Sequence, residues 1–183
     1  MSTFQEVALS CVKEVQSVVS NVKEEQMHAF ALAIKGAKRI FVSGEGRSGL
    51  MGKAIAMRLM HADYTVYVTG ETITPSISDG DLLVIISGSA SGTQSFISKA
   101  KQAGASVALV TANPEQEKSS EADHVLLVPA ATKKRLNHEP VTIQPLGNQF
   151  DQSVHVLLDA IIVKLTTNQH EQMTARHANL ELS

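Results

Sequence analysis

The sequence predicts an α/β fold: three layers built on a doubly wound, five-stranded parallel sheet, with helices ahead of the first strand. Three observations predict it. From residue 38 onward, short apolar runs alternate with stretches of helical periodicity, the order that right-handed crossovers turn into a parallel sheet. The apolar runs lack a strict inward–outward alternation, as expected of strands covered on both faces. Two of them also break into loops rich in glycine and hydroxyl groups before the next helix, at Ser43–Leu50 and Ser87–Thr93. A strand ending in this way offers backbone N–H groups to an anion.

Each element has its own warrant. Residues from Thr3 to Ser20 place Phe4, Val7, Ala8, Cys11, Val12, Val15, Val18 and Val19 at helical spacing, so an amphipathic helix is expected although valines lower its propensity. A second helix is expected over Lys23–Lys35 with Met27, Phe30, Ala31 and Ile34 inward, stopped at Gly36. Two leading helices exceed what a minimal sheet core needs, and either cap it or form a dimerisation surface. Strands are predicted at Arg39–Val42, Thr65–Val68, Leu82–Ile86, Ser106–Val110 and His124–Val128. Helices are predicted at Leu50–His61 and Thr93–Ala103, with a short turn near Glu115–Glu121. Gly80, Gly104 and Asn113-Pro114 punctuate the turns. Pro129–Leu146 is polar, carries three prolines and the cluster Lys133-Lys134-Arg135; a connection of that length is often functional. A long helix from Gln149 to Thr167 should bury Phe150, Val154, Leu157, Leu158, Ile161 and Leu165.

Composition narrows the function. A chain of 183 residues with 43% hydrophobic content fits one domain with a real core. The net charge of −2 and 4% aromatics give neither an electrostatic footprint nor stacking platforms for nucleic acid. The lone cysteine, Cys11, cannot close an internal disulfide and suits a reducing compartment. No basic-then-apolar leader and no apolar run of about 18 residues points to secretion or a membrane. A cytoplasmic protein without nucleic acid or membrane partners is expected.

Gly44, Gly46 and Gly49 spell G-x-G-x-x-G between a strand and a helix, which alone suggests a dinucleotide fold. That reading wants an acid at the end of the next strand, and Glu71 lies beyond it, past Thr69-Gly70. Arg47 and Ser48 suit a compact phosphate better, while the plainest reading is only a tight strand-to-helix turn. The second loop favours phosphate. If the first and third strands are neighbours, both loops open into one crevice at the switch point of the sheet. Ser87, Ser89, Ser91 and Thr93 then supply hydroxyls, and the following helix adds amides and its positive end. A helix cap needs one hydroxyl, not four.

These motifs resemble those of the 6-phospho-3-hexuloisomerases of the sugar isomerase (SIS) family. The resemblance rests on G-E-G-R-S-G-L-M-G-K-A-I-A-M-R-L-M-H at Gly44–His61, G-E-T-I-T-P at Gly70–Pro75 and G-D-L-L at Gly80–Leu83. It continues through S-G-S after the third strand, T-A-N-P at Thr111–Pro114, Q-P-L-G-N-Q-F-D-Q-S at Gln144–Ser153 and R-H-A-N-L-E at Arg176–Glu181. It implies a single flavodoxin-like SIS domain over residues 1–183. The parts are a helical extension at 1–36, an α/β core at 37–169 and a tail at 170–183.

The implied activity interconverts 3-hexulose 6-phosphate and fructose 6-phosphate through an enediol, as in the ribulose monophosphate pathway, in a homodimer or homotetramer. Moving a carbonyl by one carbon needs a base, a proton donor and a clamp on the distant phosphate, and no metal or organic cofactor; the seven histidines are scattered. The clamp would be Gly46, Arg47, Ser48, Ser87, Gly88, Ser89, Ser91, Gly92 and Thr93. The family's base is a glutamate opening the long last helix in F-E-Q. The matching residue here is Asp151, whose shorter side chain sets the carboxylate back by roughly 1.5 Å. Read without the family, Asp151 is an acid favouring a helix dipole three residues after an Asn148 cap. His61, on a stripe with Leu50, Ala54 and Met57, and His177, in the tail, complete the implied catalytic set; the tail would close over its own or a neighbouring subunit's site. In the second loop Ala90 stands where the family pattern has glycine, so a positive φ there would be strained. That change leaves open a related pentose or heptose phosphate as substrate. A sugar-phosphate sensor without turnover is the alternative from another class, although no basic helix-turn-helix accompanies the chain.

Overall fold

The computed structural model describes residues 2–177. Five parallel strands, β1 (Ile40–Gly44), β2 (Val66–Val68), β3 (Leu82–Ile86), β4 (Ser106–Thr111) and β5 (His124–Leu127), form one sheet in the order β2-β1-β3-β4-β5. The predicted α/β class and doubly wound parallel sheet are therefore present. β1 pairs with β3 from Ile40↔Leu82 to Gly44↔Ile86. The strand order reverses beside this pair, which places the ligand crevice of such sheets at its carboxyl end.

Side chains of the central strands divide between two cores. Ile40, Val42, Leu82, Val84, Ile86, Ala108 and Val110 face one side. That side is covered by α2 (Glu24–Gly36), α3 (Gly46–His61) and α6 (Asn148–Leu165) through Phe30, Ile34, Ile55, Leu59, Val154, Leu157, Leu158 and Ile161. Phe41, Leu83, Ile85, Val107 and Leu109 face the other side, under Ile97 and Ala100 of α4 (Gln94–Gln102). The period-2 division is invisible in the sequence because both faces of β3 are buried along all five residues. No helix joins β2 to β3, and α5 (Gln116–Ser119) is a single turn before β5.

Three local readings change. Ser43 and Gly44 end β1 and Gly46–Leu50 begins α3, so the expected loop is reduced to Glu45, with Arg47 and Ser48 on the first helical turn. The two glycines hide this helix start, since glycine disfavours helix interiors. A Cβ on Gly49 would lie 2.7 Å from the Gly44 carbonyl oxygen, so the motif keeps strand and helix backbones in contact. Helix α1 (Phe4–Val19) buries only Val18; Phe4 is 98% exposed and Val7, Leu9 and Val12 are also exposed. Its start is held by a capping box between Thr3 and Glu6. The tail contains a helix the periodicity did not announce, α7 (His170–Ala175).

Candidate active site

The crevice at the carboxyl end of β1 and β3 has two lobes. The first, about 440 Å³, is lined by Gly46, Arg47, Ser48, Ser87, Gly88, Ser89 and Ser91, with Asp151 and Phe150 of α6 opposite. The second runs from Ser43 and Gly44 past Thr69 and Gly70 to Gly92, Thr93 and Phe96. Ser48, Ser87 and Ser91 line both lobes and form the seam between them. Every residue predicted to hold phosphate thus lies in this crevice.

The second loop is built to leave hydroxyls free. The Gly88 carbonyl accepts from the Ala112 amide at 2.9 Å and from the Thr111 hydroxyl at 3.0 Å, which ties the loop to the end of β4. Ser89 Oγ accepts weakly from the Ser91 amide at 3.3 Å, and the Thr93 hydroxyl donates to the Ala90 carbonyl at 2.9 Å. Thr93 is therefore a buried strut rather than an open ligand. The hydroxyls of Ser48, Ser87 and Ser91 make none of the hydrogen bonds found among the described residues. Ala90 has φ +54°, so the strain expected there is present. At Gly46, φ +55° lets the chain leave β1 and enter α3, whose first amides precede any i→i−4 bond and point toward an anion.

Opposite the seam, Asp151 occupies the first turn of α6. The helix is capped by Gly147, not by Asn148, which is its first residue. Asn148 instead accepts through Oδ1 from Arg47 Nη1 at 2.5 Å. Arg47 Nε stands 2.9 Å from Asp151 Oδ2. The pair is a charge contact: Oδ2 is buried and has no aligned hydrogen bond among the described residues. Burial pushes the Asp151 carboxyl above the usual carboxylate range, and the Arg47 guanidinium partly offsets this. A half-desolvated carboxylate with an unfilled lone pair is suited to take a proton.

His61 and His177 are not brought to this crevice within one chain. His61 closes α3 at the end opposite Arg47, roughly 22 Å along the helix at 1.5 Å per residue. The stripe on which it was expected faces outward, for Leu50 and Met57 are exposed, whereas α3 buries Gly52, Ile55, Ala56 and Leu59. His61 is itself buried because the tail covers it. His177 stacks on its ring at 5.3 Å between centroids, and Arg176 pairs with Asp63 at 2.9 Å. Burial lowers the His61 pKa, with help from His177 and Arg58. The rest of the R-H-A-N-L-E motif lies outside the described residues.

The crevice also contains residues that the sequence did not assign to the site: Glu45, Thr132, Lys133, Lys134, Gly147 and Phe150. The basic cluster was visible, but nothing in its local pattern tells where a long loop folds back. Glu71, which would serve a ribose in a dinucleotide fold, is paired with Lys53 at 3.5 Å. Among the described residues no group of three or more His, Cys, Asp or Glu side chains could hold a metal ion, and no helix is long and apolar enough to cross a membrane.

Hydroxyls gathered at the switch point of a parallel sheet and faced by a partly buried carboxylate give this α/β protein one polar crevice. Residues 33–143 match the SIS domain family, and the chain belongs to that family. It is 38% identical to the 3-hexulose-6-phosphate isomerase of Bacillus subtilis over 99% of this chain and 100% of that one. It is 42% identical to the enzyme of the same name from Mycobacterium gastri, over 94% of this chain and 89% of that one. Among solved structures, a Methanococcus jannaschii protein with an inferred function of 3-hexulose-6-phosphate isomerase matches with a TM-score of 0.75 at 26% identity, covering 97% of this chain and 98% of that one.

Proposed function

We propose that this protein is a sugar-phosphate isomerase that interconverts 3-hexulose 6-phosphate and fructose 6-phosphate. The single observation that carries the reading is the pairing of an open hydroxyl seam, Ser48, Ser87 and Ser91, with a partly buried carboxylate across the same crevice. The relatives named for this reaction cover nearly the whole chain and favour turnover over sensing.

The chemistry follows from the layout. The phosphate sits on the seam and on the amides opening α3 and α4, which fixes the far end of the sugar. Asp151 takes the proton from C2 of the 3-ketose, electrons move to the C3 oxygen, and that oxygen takes up a proton, as from the neighbouring O2 hydroxyl, so that a 2,3-enediol(ate) results with one proton shared between O2 and O3. Return of a proton to C3 and loss of the O2 proton produce the 2-ketose. Each direction uses one carboxylate in two protonation states. The raised pKa of Asp151 brings those states closer in energy at neutral pH. No step calls on a metal.

We further read the chain as one SIS domain acting as a cytoplasmic homodimer or homotetramer. The exposed apolar face of α1 supports a self-association surface. In such an assembly His61 and His177 would serve the crevice of a neighbouring subunit, since roughly 22 Å of α3 separates them from their own.

The test is turnover of 3-hexulose 6-phosphate by purified protein in chelator-treated buffer. Asp151→Asn should keep fructose 6-phosphate binding and lose at least a hundredfold in kcat. Unchanged turnover removes Asp151 as the base. A wild-type protein that is stabilised thermally by hexose phosphates but never turns them over is a sensor.

A further inference from the structure

The strap that connects β5 to α6 carries lysines whose place in the crevice has chemical consequences. Residues 128–147 contain no regular element, yet they are tied down at several points. The Ala131 amide donates to Gln149 Oε1 at 2.7 Å, in the second residue of α6. Glu139 accepts from the Thr132 amide at 2.9 Å and from its hydroxyl at 2.6 Å, which closes residues 132–139 into a ring. Arg135, at φ +50°, donates to the Gln144 carbonyl. Glu14 of α1 then accepts from the Ile143 amide at 2.9 Å and from Gln144 Nε2 at 3.1 Å. The strap is a fixed rim.

Lys133 and Lys134 sit on that rim as part of the crevice wall. Arg135, the third cation of the cluster, is spent on the strap, and Arg47 is committed to Asp151 and Asn148. Neither lysine makes any of the ion pairs or hydrogen bonds found for side chains among the described residues. Without them, the ionisable lining of the first lobe is one engaged arginine against the carboxylates of Glu45 and Asp151, a net repulsion for a dianionic phosphate. With them the sign reverses.

Their positions differ. Lys134 also borders a small neighbouring hollow with Gly88, Ser89 and Asn113, on the side of the phosphate loop. Lys133 lies by the start of α6: its amide nitrogen is 3.9 Å from the point a Cβ on Gly147 would occupy, and Arg47 Nη2 is 3.6 Å from that point. Resting on the isomerase reading above, we propose that the strap delivers the cations that the hydroxyl seam lacks. Lys134 neutralises the substrate phosphate, and Lys133 faces the oxygen that becomes negative as Asp151 removes the C2 proton. An ammonium there stabilises charge that exists in the transition state and not in the substrate, so it acts on kcat. One on the phosphate acts in both states, so it acts on KM.

The experiment compares the full chain with Lys133→Met, Lys133→Arg and Lys134→Met. For Lys134→Met we expect KM to rise and inorganic phosphate affinity, measured by calorimetry, to fall about tenfold or more, with kcat nearly unchanged. For Lys133→Met, kcat should drop about tenfold to a hundredfold while fructose 6-phosphate binding changes less than about threefold, and Lys133→Arg should recover most of kcat. Both methionine variants matching wild type in kcat, KM and phosphate affinity overturns the proposal, and so does an exchange of the two effects. If the wild type has no turnover, the isomerase reading fails by itself. The phosphate titration of Lys134→Met then still decides, and an unchanged affinity overturns that half of the proposal.

Discussion

Replacing Arg47 with methionine tests the central electrostatic claim about the site. Arg47 Nε lies 2.9 Å from Asp151 Oδ2. Two unit charges about 4 Å apart interact by about 4 kcal/mol at an effective dielectric constant of 20. Arg47, however, is 41% exposed while Asp151 is 13% exposed. Solvent screening of the exposed partner brings the useful interaction down to about 1–2 kcal/mol, or about one pH unit. Burial already raises the Asp151 pKa and Arg47 opposes that rise, so removing the guanidinium raises it further. A base acts when deprotonated. Activity is therefore present above the Asp151 pKa and is lost as pH falls through it, and the variant should lose activity about one pH unit higher than wild type. The assay is kcat against pH at saturating substrate, with fructose 6-phosphate removed by a coupled dehydrogenase. Saturation matters, because kcat reports groups in the bound complex, whereas kcat/KM would also carry the titration of the free phosphate near pH 6. Arg47→Lys keeps the charge and should hold the acid limb near its wild-type place. An acid limb that does not move in Arg47→Met, or moves down, refutes the assignment of Asp151 as the titrating base.

Other consequences concern the scaffold. Asp81 is buried against Arg39 at 2.5 Å and accepts from the Ser78 amide; the hydrogen bond from Arg39 holds its carboxyl below the usual range. Its stabilisation is complete above the unfolded carboxylate pKa near 4 and is lost as pH falls through the depressed folded value, so Asp81→Asn should melt lower than wild type at pH 7 and the gap should close as pH falls through that folded value. Ala90→Gly relieves a left-handed residue and should raise stability by about 0.5–1 kcal/mol, seen as a melting shift of about 1–4 °C. Gly49→Ala drives a Cβ to 2.7 Å from the Gly44 oxygen, and separating β1 from α3 should weaken inorganic phosphate binding by an order of magnitude or more, read by calorimetry. His61 is kept neutral mainly by burial, with His177 and Arg58 adding to the effect. A histidine with a lowered folded pKa contributes stability above its unfolded value near 6.5 that is lost as pH falls through the folded one, so the amide protection factors of residues 170–177, taken relative to intrinsic exchange at each pH, should fall on acidification from pH 7 to 5.

The sheet was legible wherever a run of apolar residues is bounded by turn residues. Leu82–Ile86 lies between Asp81 and Ser87 and is found at those limits, and Gly80 and Gly104, both at positive φ, mark turns as expected. The seam was legible too, since redundant hydroxyls before a helix have little structural use. Errors arise where packing overrides local pattern. The spacing of Phe4, Val7 and Val12 is genuinely amphipathic, but periodicity states only that a helix has an apolar side, and in this chain these three residues are exposed. Leu50, Met57 and His61 share a stripe for the same reason, and His61 alone is buried because residues 176 and 177 fold onto it. The strap was unreadable because its course depends on Glu14, Glu139 and Gln149, partners distant in sequence or side-chain contacts without a period.

The site separates recognition from chemistry along the chain. Recognition is proposed at the switch point, where α3 begins two residues after β1 and α4 within eight residues of β3, so that helix amides and loop hydroxyls meet where such sheets place their ligands. Chemistry depends on α6 and the strap, which reach the crevice only after the sheet is complete. Asp151 becomes a plausible base through three features that a phosphate site does not require. It sits across from the seam, Phe150 beside it closes against Gly88 at 3.4 Å from a would-be Cβ, and the Arg47 guanidinium partly offsets the upward push of burial on its carboxyl. A sensor could dispense with all three and still bind its ligand. Retaining a half-desolvated carboxylate whose Oδ2 has no aligned hydrogen-bond partner costs stability, and that cost supports the proposed turnover over ligand sensing alone.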